Sequence, residues 1–287
     1  MSASRSFQQE LVGVFGWPVA ENPTQAMIEP AFAAMGLDWR YLTVAVRPAH
    51  LGDAVRGARA MQWKGFNCTI PHKVAVIPLL DRLTPVAEAI GAVNCAYFDQ
   101  EGALVGDNTD GKGFLQSVAA VRPVAGQRAV ILGAGGAARA IAVELALAGA
   151  AALSIVNRSP ERGEALARHV EQRTGVPTTF VVWEGEYAVP DGTDVLVNAT
   201  SIGLFPDVTA VVPVKAETLR AGLLVCDVIP NPPRTRLIAA AESRGCETLD
   251  GLGMLVNQGV IGIQRWTGRD PDAAVMRSAL EAVFAPV

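Results

Sequence analysis

The chain has 287 residues, of which 50% are hydrophobic and only 18% are charged, so it can bury more than one core and lacks the composition of a disordered protein. The formal net charge of −4 provides no general attraction for nucleic acid, so any bound anion must be held by local groups.

The cysteine spacing and the N-terminal residues indicate the cellular compartment of the protein. Cys68, Cys95, Cys226 and Cys246 have neither C-x-x-C spacing nor neighbouring histidines, so they are expected to be free thiols in a reducing environment. Residues 1–10 are polar and carry no apolar signal core. We predict a cytoplasmic protein without a metal site that binds neither membrane nor nucleic acid. The sequence leaves open whether it is a monomer or a homodimer.

The first part of the chain alternates short apolar strands with helices. Strands are predicted over residues 11–16, 39–46, 65–70, 92–98 and 104–106. Helices are predicted over 24–35, 48–61, 85–91 and 111–120. Because strands and helices alternate, we expect a mostly parallel sheet.

The second part continues this alternation after a break at Pro123 and Gly126. Strands are predicted over residues 129–132, 154–156, 193–198 and 223–227, and helices over 254–266 and 272–284. The predicted fold class is α/β with two domains and a cleft between them. The substrate-binding domain is assigned to 1–110 and 251–287, because the last helices are expected to pack back on it, and a Rossmann-type domain to 111–250.

Residues 129–138 have the pattern of a dinucleotide-binding turn. The apolar strand leads directly into a G-x-G-x-x-A sequence that precedes a predicted helix, and this context makes the short pattern informative. The first glycine permits a tight turn, and the second lets the backbone approach a pyrophosphate at the helix N-terminus. The predicted cofactor-binding residues here are Gly133, Ala134, Gly135, Gly136 and Ala137.

The end of the next predicted strand indicates which dinucleotide is bound. An NAD site places an acidic residue there for the ribose 2′-hydroxyl, whereas this chain has Asn157, Arg158, Ser159 and then Arg162. Guanidinium groups suit a 2′-phosphate because they offer paired donors and permanent charge. We therefore predict NADP as cofactor. The alternative is that both arginines are solvated residues at a helix start.

Polar residues at the ends of several strands form a second group. They are expected to converge on one small, hydroxyl-rich molecule, since ligands bind at the carboxyl edge of such sheets. Taken singly, Lys73 could be a surface amine and Asp110 a helix N-cap. The members are Asn67, Thr69, Lys73, Asn94 and Asp110.

Seven motifs in order along nearly the whole chain resemble the shikimate dehydrogenase family. They are Asn67-x-Thr69-x-Pro71-x-Lys73, residues 91–94, Gly106-Asp107-Asn108-Thr109-Asp110-Gly111, residues 133–138, Asn157-Arg158-Ser159, Asn198-Ala199-Thr200-Ser201-x-Gly203, and residues 250–256 with Gln258.

The resemblance implies an NADP-linked enzyme that interconverts 3-dehydroshikimate and shikimate, in the chorismate pathway of aromatic amino acid biosynthesis. It implies Lys73 and Asp110 as the catalytic pair, and the sequence leaves open which of them moves the proton. It implies Asn67, Thr69, Asn94 and Gln258 as ligands of the ring hydroxyls. On the cofactor side, Thr200 and Ser201 are expected near the nicotinamide ribose, with Gly251 and Met254 beside the ring.

Two positions depart from the family pattern. The family's pair of serines for the substrate carboxylate is replaced by Asn22 and Thr24, which still offer hydrogen bonds in a pocket of different shape. A family tyrosine that reaches toward the substrate is Pro230 here. These changes leave the predicted reaction type intact, whereas the identity of the substrate stays undecided.

Three functions therefore remain from the sequence. The first is an NADP-dependent shikimate dehydrogenase acting on a cyclic hydroxy acid. A quinate or aminoshikimate dehydrogenase of the same family is the nearest alternative. A non-catalytic sensor of NADP(H) or a cyclic acid is the third, and retention of both Lys73 and Asp110 argues against it.

Overall fold

A computed structural model describes residues 7–285 and divides them into two compact units. The first unit takes in the described residues up to Asn108 together with Gly259–Val283. The second comprises Thr109–Gln258 and residues 284–285. Each unit is built around one six-stranded sheet.

The sheet of the first unit is mixed. Its strands are β1 (Glu10–Gly16), β2 (Trp39–Ala45), β3 (Gly65–Cys68), β4 (Arg82–Leu83), β5 (Cys95–Phe98) and β6 (Leu104–Asp107), in the order β2-β1-β3-β5-β6-β4. Strand β5 runs antiparallel to both β3 and β6, and the other pairs are parallel. Strands β5 and β6 are joined directly by a short turn around Gly102, at the point where the sequence places no helix between two predicted strands.

The sheet of the second unit is entirely parallel. Its strands are β7 (Arg128–Leu132), β8 (Ala152–Asn157), β9 (Thr178–Val182), β10 (Val195–Asn198), β11 (Leu224–Asp227) and β12 (Glu247–Leu249). The order β12-β11-β10-β7-β8-β9 places the first strand of the unit centrally, with crossovers to either side. This is the strand order of a dinucleotide-binding fold. Strands β9 and β12 were not predicted from the sequence.

Ten α-helices connect or flank these strands within residues 7–285. They are α1 (Thr24–Ala34), α2 (Leu51–Ala60), α3 (His72–Ala75), α4 (Pro85–Ile90), α5 (Thr109–Ala119), α6 (Gly136–Leu147), α7 (Pro160–Thr174), α8 (Arg236–Ser243), α9 (Gly251–Thr267) and α10 (Ala273–Phe284). The predicted helix over 48–61 begins instead as a 3-10 turn, Pro48–His50, before α2. No helix among the described residues is long and apolar enough to cross a membrane.

Apolar side chains from both faces of each sheet form the cores. In the first unit, Phe15 stacks on Phe66 with ring centroids 4.7 Å apart, and Trp63 packs beside them at 5.7 Å from Phe15. In the second unit, alternate residues of the central strand, such as Val130 and Leu132, are buried against one helical layer. Helices cover both faces of a parallel sheet, so its strands are apolar on both sides.

The edge strand β2 is partly covered by side chains of α1. The Glu29 carboxylate accepts the Tyr41 backbone N–H at 3.3 Å, and the Thr43 hydroxyl donates to the Gln25 side-chain oxygen at 3.2 Å. Edge strands otherwise present unpaired backbone groups to other molecules. Here the acceptor for one such group comes from the neighbouring helix.

Candidate active site

In the first unit, polar residues that the sequence placed at strand ends lie at one edge of the sheet. Val14 pairs with Asn67, Asn67 with Cys95, and Cys95 with Asp107, so four adjacent strands are in register at this level. Asn94 immediately precedes β5, whereas the sequence suggested that it follows a strand. Because β5 is antiparallel, its beginning lies at the same edge as the ends of β1, β3 and β6.

The side chain of Asn67 is held within a buried chain of hydrogen bonds. Its amide NH2 group donates to the Asn94 carbonyl at 2.9 Å, and its side-chain oxygen accepts the Tyr41 hydroxyl at 2.8 Å. Burial raises the pKa of Tyr41 well above its ordinary value, so the phenol is neutral and keeps its proton.

Asn22 and Thr24 lie at the start of α1. The Asn22 side-chain oxygen accepts the Thr24 backbone N–H at 3.0 Å, which closes an Asx-type turn before the helix. Thr24 is buried and Asn22 is partly exposed. These two residues therefore have a defined local geometry at the start of the helix.

Lys73 lies in α3, a single helical turn after β3. Its backbone carbonyl accepts the Val93 N–H at 2.7 Å, which ties the turn to the segment that leads to Asn94. Its ammonium group lies close enough to Cys68 to act on that thiol electrostatically, although burial dominates and raises the pKa of Cys68 to about 12. The Thr69 N–H donates to the Phe15 carbonyl at 2.9 Å, so β1 and β3 remain joined at this point.

His72 has a structural position beside Lys73. It is fully buried, and its ring Nε2 lies 2.7 Å from the Val46 carbonyl oxygen at the end of β2. A backbone carbonyl can only accept, so Nε2 carries the proton. The ring thus joins the Lys73 turn to the end of the neighbouring strand.

A buried ion pair secures the end of β6. Asp107 is fully buried, and Arg265 of α9 donates to it through Nε at 3.2 Å and through a terminal nitrogen at 2.9 Å. The other carboxylate oxygen accepts the Thr84 hydroxyl at 2.7 Å and the Asn108 N–H at 2.9 Å. Asp107 is therefore engaged in holding the segment that precedes Asp110.

In the second unit, Asp110 lies in the first turn of α5. The helix begins at Thr109, so Asp110 is not the N-cap that the alternative interpretation made it. The next residue, Gly111, allows close packing on α6, because an added Cβ would lie 2.6 Å from the Ala140 carbonyl oxygen. Helix packing thus fixes the position of Asp110 within this unit.

Helix α5 also packs closely on α9, which carries Gln258. A Cβ at Gly113 would lie 2.7 Å from the Gln258 backbone nitrogen, and the Asn257 amide donates to the Gly113 carbonyl at 3.1 Å. The buried Gln258 amide donates to the Leu255 carbonyl at 2.9 Å. At the start of α9, a Cβ on Gly251 would collide with the Ile229 backbone, and the partly exposed Met254 follows one turn later.

The glycine turn after β7 has the geometry that the sequence predicts. Gly133 has φ of 106°, and an added Cβ would lie 3.1 Å from the Ala199 carbonyl oxygen, so this position requires glycine. Gly135 is the N-cap of α6, and the exposed Gly136 opens the helix, with the partly exposed Ala134 and Ala137 on either side. The amides of the first helical turn are thereby presented at the carboxyl edge of the parallel sheet.

The predicted phosphate-binding residues follow β8. Arg158 and Arg162 are exposed, while the Asn157 amide donates to the Ser159 carbonyl at 2.9 Å and the Ser159 hydroxyl caps α7 by accepting the Arg162 N–H at 3.4 Å. Beside Arg158 lies a cavity of about 340 Å³ that is lined also by Trp183, Gly185, Glu186, Ile202 and Pro213.

Beyond β10, Asn198 orders the segment that contains Thr200 and Ser201. Its side-chain oxygen accepts the Thr200 hydroxyl at 2.7 Å, and its amide donates to the Asp227 carboxylate at 3.1 Å. Burial raises the pKa of Asp227 to about 6, although Thr235, Ile229 and Asn198 all donate to it. Ser201 is exposed at the end of this segment.

The structure therefore gathers two groups, one in each unit. Within the first unit it places Asn67, Thr69, Lys73 and Asn94 at one edge of the sheet, and Asn22 and Thr24 together at the start of α1. Within the second it places the glycine turn, the segment of Arg158 and the segment of Thr200 at one edge of the sheet, and it holds Asp110 and Gln258 through the close packing of α5 on α9. Sequence reasoning missed Tyr41, Arg265 and Asp227. Tyr41 offered no motif, and only the ending of a strand in aspartate hinted at Asp227.

The second unit fits a dinucleotide. It combines the strand order of that fold, a glycine turn that excludes a Cβ, the open start of α6, and exposed guanidinium groups next to a cavity. The end of β8 offers no carboxylate, which suits the 2′-phosphate of NADP better than the free hydroxyl of NAD. The fold and site define the class of NADP-dependent oxidoreductases.

Sequence comparisons specify the family. The shikimate dehydrogenase substrate-binding domain matches residues 14–96, shikimate/quinate 5-dehydrogenase matches 117–201, and the shikimate 5′-dehydrogenase C-terminal domain matches 251–281. The NADP(+) shikimate dehydrogenase of Desulforamulus reducens is 41% identical, and the alignment covers 94% of each chain. The chain belongs to the shikimate dehydrogenase family.

Two solved structures are similar over almost the whole chain. The ligand-free 5-ketofructose reductase of Gluconobacter sp. strain CHM43 is 53% identical with a TM-score of 0.93, covering 97% of this chain and 100% of that one. A shikimate dehydrogenase in complex with NADP+ is 36% identical with a TM-score of 0.90, covering 97% and 96%. The family fold is thus shared by proteins with different named substrates.

Proposed function

We propose that this protein catalyses the NADP(H)-dependent interconversion of a ring ketone and a secondary alcohol, with 3-dehydroshikimate and shikimate as the reference pair. The observation that carries the proposal is the group of polar residues at one sheet edge of the first unit. Asn67 and Asn94 are held there by hydrogen bonds, and the Lys73 turn is tied to the same segment. An amine beside fixed amides suits a carbonyl whose oxygen gains charge during reduction.

The cofactor is proposed to bind to the second unit. The amides of the turn from Gly133 to Ala137 would hold the pyrophosphate, since the N-terminus of α6 attracts anions. Asn157, Arg158, Ser159 and Arg162 would hold the 2′-phosphate. Thr200, Ser201, Gly251 and Met254 would line the nicotinamide side.

The protein residues control the proton that accompanies hydride transfer. Bound NADPH supplies the hydride, and NADP+ accepts it in reverse. The ammonium of Lys73 is proposed to stabilise the developing alkoxide, and Asp110 to orient the lysine and balance its charge. Either of the two can deliver the proton, and the reverse reaction requires the same pair as base.

The remaining assignments follow from this function. We propose that residues 1–110 and 251–287 form the substrate-binding domain and that residues 111–250 bind the cofactor. Asn22, Thr24, Asn67, Thr69, Asn94 and Gln258 would contact the substrate. The protein is proposed to act in the cytoplasm on a small cyclic hydroxy compound, as a monomer or a homodimer.

A substrate panel tests the proposal. Purified protein is assayed by nicotinamide absorbance with shikimate and NADP+, with 3-dehydroshikimate and NADPH, and with the same substrates and NAD(H). Turnover with NADP(H) that exceeds turnover with NAD(H) supports the proposal. Binding of NADPH without turnover of any ring alcohol or ketone would instead indicate a sensor.

Reduction of 5-ketofructose is the second candidate. The protein with that name is 53% identical to this chain, against 41% for the shikimate dehydrogenase of Desulforamulus reducens. Adding 5-ketofructose with NADPH to the panel separates the candidates, because the ratio of the two kcat/KM values gives the preferred substrate directly.

A further inference from the structure

The last residue of β11, Asp227, lies at the edge of the parallel sheet where the cofactor is proposed to bind. We propose that Asp227 is a positioning residue for the dinucleotide, because it fixes the segments of Thr200 and of Gly251 that would line the nicotinamide side. The inference rests on the proposed function and names the buried group that keeps this side of the cofactor site in place.

The orientation of the Asn198 amide follows from its backbone partner. The Thr200 backbone N–H can only donate, so the atom of Asn198 that faces it at 3.2 Å is the side-chain oxygen. The NH2 group therefore points to Asp227, whose carboxylate oxygen Oδ1 lies 3.1 Å away. Asn198 and Asp227 are both almost fully buried, so solvent does not compete for this hydrogen bond.

The side-chain oxygen of Asn198 orders the Thr200 segment. Because this oxygen can only accept, the Thr200 hydroxyl donates its single proton to it at 2.7 Å and accepts the Ile202 N–H at 3.1 Å. Thr200 packs against the glycine turn, since a Cβ on Gly133 would lie 3.1 Å from its methyl carbon. Ile202 lines the cavity beside Arg158. The orientation of Asn198 thus affects both the glycine turn and that cavity.

Asp227 fixes a second segment through a nearby backbone group. The Ile229 N–H donates to the same carboxylate oxygen, Oδ1, at 3.1 Å. The Ile229 backbone packs closely on the start of α9, because a Cβ on Gly251 would lie 2.3 Å from the Ile229 carbonyl oxygen. One carboxylate oxygen therefore connects the Thr200 segment with the start of the helix that carries Met254.

Pairing of the strands does not require this carboxylate. Strands β10 and β11 are paired along their whole length, and the Val228 N–H donates to the Asn198 carbonyl at 3.1 Å. The second carboxylate oxygen accepts the hydroxyl of Thr235, the N-cap of α8, at 2.7 Å. Burial raises the pKa of Asp227 to about 6, so at neutral pH the group is ionised and its hydrogen bonds are charge-assisted.

Titration with NADPH, followed by nicotinamide fluorescence, measures cofactor binding without turnover. Asp227→Leu replaces the carboxylate by an apolar side chain with the same branching. It should raise the Kd for NADPH by about ten- to a hundredfold, the contribution of hydrogen bonds to a charged group. Asp227→Asn keeps an acceptor oxygen for Asn198 and Ile229 and should raise the Kd by less than about threefold. A wild-type Kd in folded Asp227→Leu overturns the inference.

Thr235→Val separates cofactor binding from stability. The substitution removes the hydrogen bond to the second carboxylate oxygen of Asp227 and the side-chain cap of α8. It should lower the urea midpoint while the Kd for NADPH stays at the wild-type value. If the Kd instead rises with the loss of stability in Thr235→Val as it does in Asp227→Leu, the role of Asp227 is merely structural and the inference is wrong.

A double-mutant cycle tests the route through Asn198. Asn198→Ala should raise the Kd for NADPH by about tenfold, and the double variant should bind NADPH no more weakly than Asp227→Leu alone. Additive effects would show that Asp227 does not act through Asn198. If Asp227→Leu does not fold, Asn198→Ala decides the question, because a wild-type Kd in that variant also overturns the inference.

The wild-type protein distinguishes the inference from the proposed function. If it binds NADPH but turns over no ring ketone or alcohol, the proposed reaction fails, and the Kd values of the variants still decide the role of Asp227. If it does not bind NADPH, both the proposed function and the inference are overturned.

Discussion

The two sheets expose functional groups at their edges in different ways. In the parallel sheet of the second unit, every strand ends at the same edge, so the turn after β7 and the segments after β8 and β10 lie there together. In the first unit, β5 runs antiparallel, and Asn94 reaches the corresponding edge by preceding a strand. A mixed sheet therefore draws on both the ends and the beginnings of its strands.

The two regions differ also in what their polar groups bind within the protein. The guanidinium groups of Arg158 and Arg162 in the second unit are exposed. In the first unit, Thr24, Asn67 and Asn94 are buried, and the Asn67 side chain is hydrogen-bonded both to the Tyr41 hydroxyl and to the Asn94 carbonyl. The second unit thus presents backbone amides and exposed charge at its sheet edge, whereas the first unit presents a pre-formed set of hydrogen bonds.

The largest expected effect concerns the side-chain amine of Lys73 in the first unit. Lys73→Ala should lower kcat by about a thousandfold, since general acid–base catalysis contributes about 10²–10⁴-fold. Substrate binding, measured by calorimetry, should change much less. Lys64→Ala, which removes a lysine from an exposed ion pair with Glu10, is the matched control. Equal kcat values for Lys73→Ala and wild type would assign the chemistry to other residues.

The ion pair between Arg265 and the buried Asp107 should dominate the stability of the first unit. Arg265→Met leaves the fully buried Asp107 carboxylate without its cation and should cost about 3 kcal/mol of unfolding free energy. Urea denaturation followed by tryptophan fluorescence measures the change. Arg265→Lys retains a positive charge and should recover part of the loss. If both variants unfold like the wild type, the pair does not hold the Asp107 segment.

A smaller effect is expected on the cofactor side. Arg158→Ala should raise KM for NADP by about ten- to a hundredfold, the contribution of hydrogen bonds to a charged group, with little change for NAD. Arg168→Ala removes an exposed arginine of the helix α7 that follows Arg158 and serves as control. Parallel changes for NADP and NAD would show that Arg158 does not contact the 2′-phosphate.

The smallest effect is a pH dependence of the second unit. Burial raises the pKa of Asp227 to about 6, so between about pH 4 and 6 the folded state holds a proton that the unfolded chain has released. Stability should therefore fall as pH rises through this window, by up to about 1.4 kcal/mol per pH unit. Asp227→Asn cannot titrate, so urea midpoints from pH 4 to 7 should lack this component. If the urea midpoints of Asp227→Asn and of the wild type change with pH in parallel, the prediction is wrong.

Local constraints made the second unit predictable. The glycine turn depends on six consecutive residues and on the strand before them, and Gly133 has the positive φ that the pattern demands. The membership of the family, the α/β class and the NADP cofactor followed from motifs of this local kind. The roles of individual site residues and the domain boundaries stay predictions.

Long-range contacts explain what the sequence could not provide. Tyr41 meets Asn67 across 26 residues and Arg265 meets Asp107 across 158, and no local pattern marks either pair. The direction of β5 was missed because an apolar run of four residues is the same in parallel and antiparallel pairs.

The carboxylate of Glu29 has a consequence for how copies of this protein behave at high concentration. It occupies the Tyr41 N–H in the middle of β2, the strand that has a neighbour on one side only. A strand from another copy would have to displace a charged side chain before it could add to the sheet. We therefore expect α1, which carries Glu29, to disfavour β-type association through this edge of the sheet.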